Sequence, residues 1–374
     1  MATIVFDGRT IQDHYPGIGR YAFYLARALA ECFPEHQFRL LFNPRAYNSR
    51  FDLQTLTTRA NVVPVPTPAQ IFSPQEQTLG RNPYVIGNAR VWFSPYYALP
   101  LTVATPSVVT LADVTPLVLP EEMPNPSKRM LYRGLNQAAG WRARAVLTFS
   151  DASRFDLERL LNVPNEKMVV IPLGVDSNFH PASSQDIAQI RAALNLPQVY
   201  ALYVGSNKPH KNLARLMEAW AYVNTDAVLV IAGAWDKRYP QAKQLVAQWG
   251  MQERVLFRHN IVEAALPALI SGARAFVFPS VHEGFGLPPL EAMACGVPVA
   301  CAHASSLPEV VADAALVFDP YNPQDMAETM SRILDNAHLR FEMRAKGLLH
   351  AKQFTWERAA RATFEVFQQV GNFA

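Results

Sequence analysis

Short runs rich in β-branched and aromatic residues recur along the chain, and most are followed by a stretch with helical spacing. Thr3 to Phe6 precedes a helical pattern over Ile18 to Cys32. Phe38 to Phe42, Val91 to Phe93 and Ser107 to Leu111 come next, then a long helical pattern near Lys128 to Trp141 and the run Ala145 to Phe149. Strands separated by helices cannot pair as hairpins, so this alternation predicts a parallel sheet covered by helices. Proline and glycine in Ile171-Pro172-Leu173-Gly174-Val175-Asp176 mark the end of one unit. A second series then runs through Tyr200 to Val204, a helix from Leu213, Val228 to Ile231, a helix near Gln241 to Gly250, Val255 to Phe257, Ala275 to Phe278, Val297 to Ala300 and Leu316 to Phe318. The sequence therefore predicts an α/β chain of two doubly wound, Rossmann-like domains, residues 1–176 and 177–355. Ligands of such sheets sit beyond the carboxyl ends of the strands, so the two domains are expected to face each other across a cleft.

The 374 residues are half apolar, enough for two sizeable cores. A net charge of +3 is too small to imply a nucleic-acid partner. Cys32, Cys295 and Cys301 are an odd set without metal-like spacing and read as core thiols of a reducing compartment. The chain opens directly on a strand with no signal-like leader, and its longest apolar run, around Ala227 to Trp235, is about half of what a membrane helix needs. These features predict a soluble cytoplasmic protein.

The chemistry is concentrated in His282-Glu283-Gly284-Phe285-Gly286-Leu287-Pro288-Pro289-Leu290-Glu291, where two carboxylates eight positions apart surround a glycine pair between a strand and a helix. Proline is tolerated in a first helical turn, so Pro288-Pro289 marks a helix start whose free amides, at Gly286 and Leu287, favour an anion such as a phosphate. Glu283, before the turn, can accept hydrogen bonds from sugar hydroxyls, and Glu291 can hold the vicinal hydroxyls of a ribose. Together they predict a site for a nucleoside diphosphate sugar. Lys211 follows the strand Tyr200 to Val204 through a glycine turn and Pro209, where a cation can face the diphosphate and stabilise charge growing on the leaving group. Lys208 and His210 are the other basic residues of this turn.

Residues 283 to 299 resemble the E-x7-E signature of the family 4 retaining glycosyltransferases, which have the GT-B fold. The resemblance extends in the family's order to Gly17-Ile18-Gly19-Arg20-Tyr21, Ile171 to Asp176, Val204-Gly205-Ser206-Asn207-Lys208-Pro209-His210-Lys211-Asn212-Leu213, and Ser305 to Val310. It implies retention of configuration, with Lys211 and Glu283 as catalytic groups and the leaving diphosphate taking the acceptor proton. Gly17, Gly19, Ser206, Lys208, His210, Gly284, Phe285, Gly286, Leu287 and Glu291 would line the donor. Arg20, Ala112, Asp113, Arg129 and Arg133 would lie on the acceptor side of the first domain. The last helix, in residues 356–374, would cross back to that domain. GDP-mannose is the leading donor, with UDP, dTDP and 6-deoxy sugars as alternatives, and the acceptor would be a glycan or lipid-linked glycan of cell-surface polysaccharide. A nucleotide-sugar epimerase on this fold, or a weakly catalytic nucleotide-sugar-binding subunit, are the rival readings.

Gly17-Ile18-Gly19-Arg20-Tyr21-Ala22 also fits the dinucleotide fingerprint, but ten residues separate Gly17 from the strand ending at Phe6, and no acidic residue closes the second strand. No two aspartates are separated by a single residue, so no Asp-x-Asp metal clamp is available, and neither a metal nor another cofactor is expected. Many relatives carry His-Asp where this chain has Ala112-Asp113. Losing that histidine removes a partner for a sugar 6-hydroxyl and leaves room for a 6-methyl group. Met123 to Ser150 holds five basic residues, Lys128, Arg129, Arg133, Arg142 and Arg144, and no acidic one, interleaved with Met130, Leu131, Tyr132, Leu135 and Trp141. Such a face can be the solvated side of a packed helix, grip a phosphate-linked acceptor, or rest on anionic lipid at the inner face of the membrane.

Overall fold

The structure, a computed structural model, describes residues 1–373. The chain forms two compact units. One comprises residues 1–174 and the stretch from Thr355 onward, and the other comprises Val175–Phe354.

The first unit is built on a seven-stranded sheet of β1 (Thr3–Asp7), β2 (Gln37–Phe42), β3 (Val62–Pro66), β4 (Val91–Ser94), β5 (Ser107–Thr110), β6 (Ala145–Thr148) and β7 (Met168–Val170). Every pairing is parallel, in the order β3-β2-β1-β4-β5-β6-β7. Helices cover both faces of such a sheet, and the central strands are accordingly continuous apolar runs. All residues of β1, β4, β5 and β6 are buried. The patterning does not reveal β3, because Pro64 and Pro66 cannot donate to a ladder. Both are accommodated because β3 lies at the sheet's edge. The other edge, β7, has only three residues.

The second unit holds a six-stranded parallel sheet of β8 (Tyr200–Val204), β9 (Val228–Ala232), β10 (Val255–Arg258), β11 (Ala275–Phe278), β12 (Val299–Ala302) and β13 (Leu316–Phe318), in the order β10-β9-β8-β11-β12-β13. The expected strand at Val297 to Ala300 is displaced two residues onward, since Gly296, at φ +75°, and Pro298 are still turning out of the preceding helix. In each sheet the order reverses at the first strand, between β1 and β4 and between β8 and β11. These are the positions where open α/β sheets bind ligands.

Five helices matter for the functional residues: α1 (Pro16–Cys32), α2 (Pro126–Arg142), α3 (Leu213–Tyr222), α4 (Leu287–Ala294) and α5 (Trp356–Gly371). Although last in the chain, α5 belongs to the first unit. Trp356 stacks on Tyr24 of α1 at 5.5 Å, Phe364 on Phe33 at 3.8 Å, and Phe367 meets Phe93 of β4 at 5.2 Å. Cys295 and Cys301 are buried in the second unit, which pushes both thiols up to about 12, whereas Cys32 is half-buried.

Candidate active site

The loops after β8 and β11 leave adjacent strands, which brings Lys211 and Glu283 together although they are 72 positions apart. After β8 the chain turns through Gly205 and a single 3-10 turn over Pro209–Lys211. Asn212, at φ +59°, then reverses the backbone and starts α3. Asparagine tolerates that left-handed conformation, and the Asn212 amide is tied to the carbonyls of Pro279, 3.2 Å, and Pro320, 2.7 Å. After β11 the segment from Pro279 to Glu283 runs beside this turn, and the Val281 N–H donates to the His210 carbonyl at 2.8 Å.

Lys211 Nζ donates to Glu283 Oε1 at 2.5 Å and lies 5.3 Å from the centre of the Phe278 ring. The Ser280 hydroxyl donates to the same carboxylate oxygen. Both members of the ion pair are largely shielded, with side-chain exposures of 15% and 14%. Burial alone would raise the Glu283 carboxyl. The charges of Lys211 and His210, with the hydrogen bonds from Lys211 and Ser280, outweigh it and hold the group below its ordinary range. Of the two other basic residues of this turn, His210 therefore acts on Glu283. Lys208 is exposed, and its charge is felt by Asp236.

Gly286 takes φ +117° to swing the chain into α4, where Pro288 and Pro289 occupy the first turn. The N-cap residue, Gly286, has no side chain with which to cap this end. A Cβ at Gly286 would approach Leu307 to 2.7 Å, so both the conformation and the space require glycine. Glu291 is buried one turn into α4, and Phe285 packs inward at 6.0 Å from Phe354. Ser206 keeps the turn after β8 closed, its carbonyl accepting from the Tyr203 hydroxyl at 2.6 Å. Gly284 and Leu287 are half-buried on the same loop. The result is a lysine, an ionised carboxylate and a helix N-terminus beyond the carboxyl ends of two adjacent central strands, which together can bind a diphosphate and orient the hydroxyls of an attached sugar.

Sequence reasoning assigned no role to Ser280, Ser305 or Ser306. The Ser305 and Ser306 hydroxyls donate to the Glu283 carbonyl at 2.8 and 2.9 Å, and Ser306 also donates to the Phe285 carbonyl at 2.6 Å. Ser305 sits at φ +51°, an unusual backbone position for serine. The segment Ser305 to Val310 stands out in the sequence, but only the fold shows that it braces the loop bearing Glu283.

In the first unit the two glycines expected in a loop lie in the first turn of α1, and they differ. A Cβ at Gly19 would meet the Thr10 carbonyl at 2.7 Å, so Gly19 is a packing residue that lets α1 sit close to the preceding turn. A Cβ at Gly17 would meet nothing within 4 Å. Arg20 lies over the Tyr24 ring at 5.9 Å. Ala112 and Asp113 are half-buried just beyond β5. The Asp113 carboxylate accepts from the Thr115 N–H at 2.8 Å, and its carbonyl accepts from the Tyr132 hydroxyl at 3.1 Å. Arg129 donates to the Met123 carbonyl at 2.8 Å, whereas Arg133 is exposed on α2. Among the described residues no group of three or more His, Cys, Asp or Glu side chains is arranged to hold a metal ion, and no helix is long and apolar enough to cross a membrane.

The sequence matches the family described as glycosyl transferases group 1 over residues 186–349 and the glycosyl transferase 4-like domain over residues 16–174. It is 30% identical to the O-antigen chain mannosyltransferase B of Escherichia coli, over 98% of this chain and 99% of that protein. It is 27% identical to the E. coli serotype-specific mannosyltransferase WbdA over 71% of this chain, spanning 33% of that protein. The structure superposes on Anabaena HepE in complex with UDP-glucose with a TM-score of 0.77 at 19% identity, covering 99% of this chain and 100% of that one. That likeness gives the fold, the two Rossmann-like domains of GT-B.

Proposed function

The chain belongs to the glycosyl transferases group 1 family and is a glycosyltransferase; from that premise we propose that it transfers mannose from GDP-mannose, with retention and without a metal, to a glycan or lipid-linked glycan of a surface polysaccharide. The observation that carries the reading is the joining of Lys211 and Glu283 on the loops that lead into α3 and α4, the latter starting at a glycine N-cap. The helix amides and Lys211 receive the diphosphate, and the growing charge of the departing diphosphate is met by a cation already in place. Glu283, kept ionised by its neighbours, accepts from sugar hydroxyls and fixes the orientation of the anomeric carbon. Mannose and polysaccharide follow the full-length relative, an O-antigen chain mannosyltransferase.

The test is a thermal-shift panel of nucleotide sugars followed by transfer assays, since a ligand bound only by the folded state raises its melting temperature. GDP-mannose is expected to give the largest shift, and its transfer to survive EDTA. The product is expected to be α-linked, as GDP-mannose itself is. Turnover that needs added magnesium or manganese, or a β-linked product, contradicts the mechanism. Hydrolysis or epimerisation without acceptor, or tight binding without transfer to any acceptor, contradicts the assignment.

We also propose that α2 rests on anionic lipid at the inner face of the membrane. Tyr132, Asn136 and Ala139 turn inward, while Met130, Leu131 and Trp141 are 76%, 63% and 57% exposed beside exposed Lys128, Arg133 and Arg144. Outward apolar side chains flanked by cations suit an anionic bilayer interface better than water. Sedimentation with phosphatidylglycerol vesicles, but not with phosphatidylcholine vesicles, is expected, and Met130→Glu with Leu131→Glu should abolish it. Equal sedimentation of the variant overturns this part.

A further inference from the structure

On the reading of the chain as an enzyme that elongates a glycan, we infer that Tyr15, Phe72 and Tyr96, braced by Tyr97 and the inward-turned Tyr132 that pack against the core, form an aromatic platform in the first unit that receives the acceptor through the apolar faces of its sugar rings. The five residues come from four separate segments, and the fold gathers them at one place. The loops after β1 and β4 flank the reversal of strand order in the seven-stranded sheet. Tyr15 closes the first of these loops immediately before α1, and Tyr96 and Tyr97 follow β4 through Pro95. A ligand of this unit is expected at that reversal.

The rings are continuous. Tyr15 lies 5.7 Å from Tyr96, Tyr96 lies 4.2 Å from Tyr97, and Phe72 stacks on Tyr97 at 4.9 Å with only 28° between the planes. Tyr132 meets Tyr97 edge-on at 5.3 Å, and its hydroxyl donates to the Asp113 carbonyl at 3.1 Å. The row thus runs from the start of α1 to the loop bearing Ala112 and Asp113. Sugar rings carry C–H groups on their faces and hydroxyls around their rims, so a surface of aromatic faces with phenol groups at its edges complements them in both respects.

Phe72 is the most informative member. It is 42% exposed, yet its backbone is held at φ +62°, a left-handed conformation uncommon outside Gly, Asn and Asp. Its N–H donates to Glu76 Oε2 at 2.9 Å, while Glu76 Oε1 accepts from Arg9 Nη2 at 2.7 Å. Arg9 in turn grips Asp7 with two hydrogen bonds, of 2.8 and 2.6 Å. Arg9, Glu76 and Asp7 are all buried, at 2%, 2% and 4% exposure. Burying three charges is costly, and so is holding a phenylalanine in a left-handed backbone with much of its ring open to water. The arrangement makes sense if that ring is held ready for a ligand.

The test is direct binding, without donor, of α-linked mannotetraose, maltotetraose and methyl α-mannoside, measured by calorimetry and saturation-transfer NMR, with GDP binding measured in parallel. One of the tetrasaccharides is expected to bind the natural protein. Phe72→Ala should weaken that binding about tenfold, the scale of one lost aromatic stacking contact, while leaving the monosaccharide and GDP unaffected. Phe72→Trp should bind within a few-fold of the natural protein, which separates loss of a ring from loss of the loop's fold. A Phe72→Ala variant that binds the tetrasaccharide as well as the natural protein does, or a natural protein that binds neither tetrasaccharide, overturns the platform. If a tetrasaccharide binds in a Phe72-dependent manner while no nucleotide sugar binds, the donor reading fails and the platform stands.

Discussion

Lys211 holds Glu283 in its charged form, and the pair makes a prediction that neither residue makes alone. Burial favours a protonated Glu283; Lys211 and His210 reverse that preference, so the folded carboxyl ionises below the unfolded value of about 4.3. A carboxylate lowered in this way stabilises the fold above that value, and the contribution is lost as pH falls through the folded value. In Lys211→Met the largest opposing charge is gone and burial prevails, so Glu283 ionises at higher pH and the variant's own stability falls as pH rises. Its melting deficit relative to the natural protein should therefore be largest near pH 7 and shrink toward pH 4. A deficit that stays constant or grows on acidification would show that Lys211 does not keep Glu283 ionised. Turnover of the same variant should fall at least tenfold, about 1.4 kcal/mol of transition-state stabilisation, while the protein remains folded at pH 7.

Each helix start here has its own structural reason. Gly286 provides a backbone turn at the start of α4, whereas in α1 the need is for space, and only at Gly19. Gly19→Ala drives a Cβ to 2.7 Å from the Thr10 carbonyl and should destabilise by about 1–3 kcal/mol. Gly17→Ala, in open space within a helix, should be neutral or stabilise by roughly 0.5–1 kcal/mol. Denaturant melts of the two variants that shift alike would refute the distinction. From sequence the two glycines look equivalent, because spacing reports a loop but not what surrounds it. The central strands and the segment 283–291 were legible because apolar runs and Gly-Pro punctuation are local signals. The two prolines of β3 hid an edge strand. The bracing by Ser280, Ser305 and Ser306 and the meeting of the rings of Tyr15, Phe72, Tyr96 and Tyr132 follow from no local pattern, even where the segment itself stands out, since each depends on residues distant in the sequence.

At the scale of the whole molecule, the chain leaves its first unit after Gly174 and returns to it at Thr355, so α5 belongs to that unit. Phe364, 2% exposed and stacked at 3.8 Å on Phe33, anchors that return. Phe364→Ala should cost about 3–5 kcal/mol, and hydrogen exchange should accelerate in β1 and β4 before β8 and β11. Uniform acceleration would contradict the assignment of α5 to the first unit's core. The second unit has its own claim to answer, that Lys211 and the α4 amides take the diphosphate while Glu283 takes the sugar. The most direct measurement is calorimetric binding of GDP and of GDP-mannose to the natural protein, Lys211→Met and Glu283→Gln. Loss of the lysine should weaken both ligands about tenfold, the effect of one charge-assisted contact. Loss of the carboxylate should weaken GDP-mannose alone. Unaltered binding of both ligands in both variants would contradict the account.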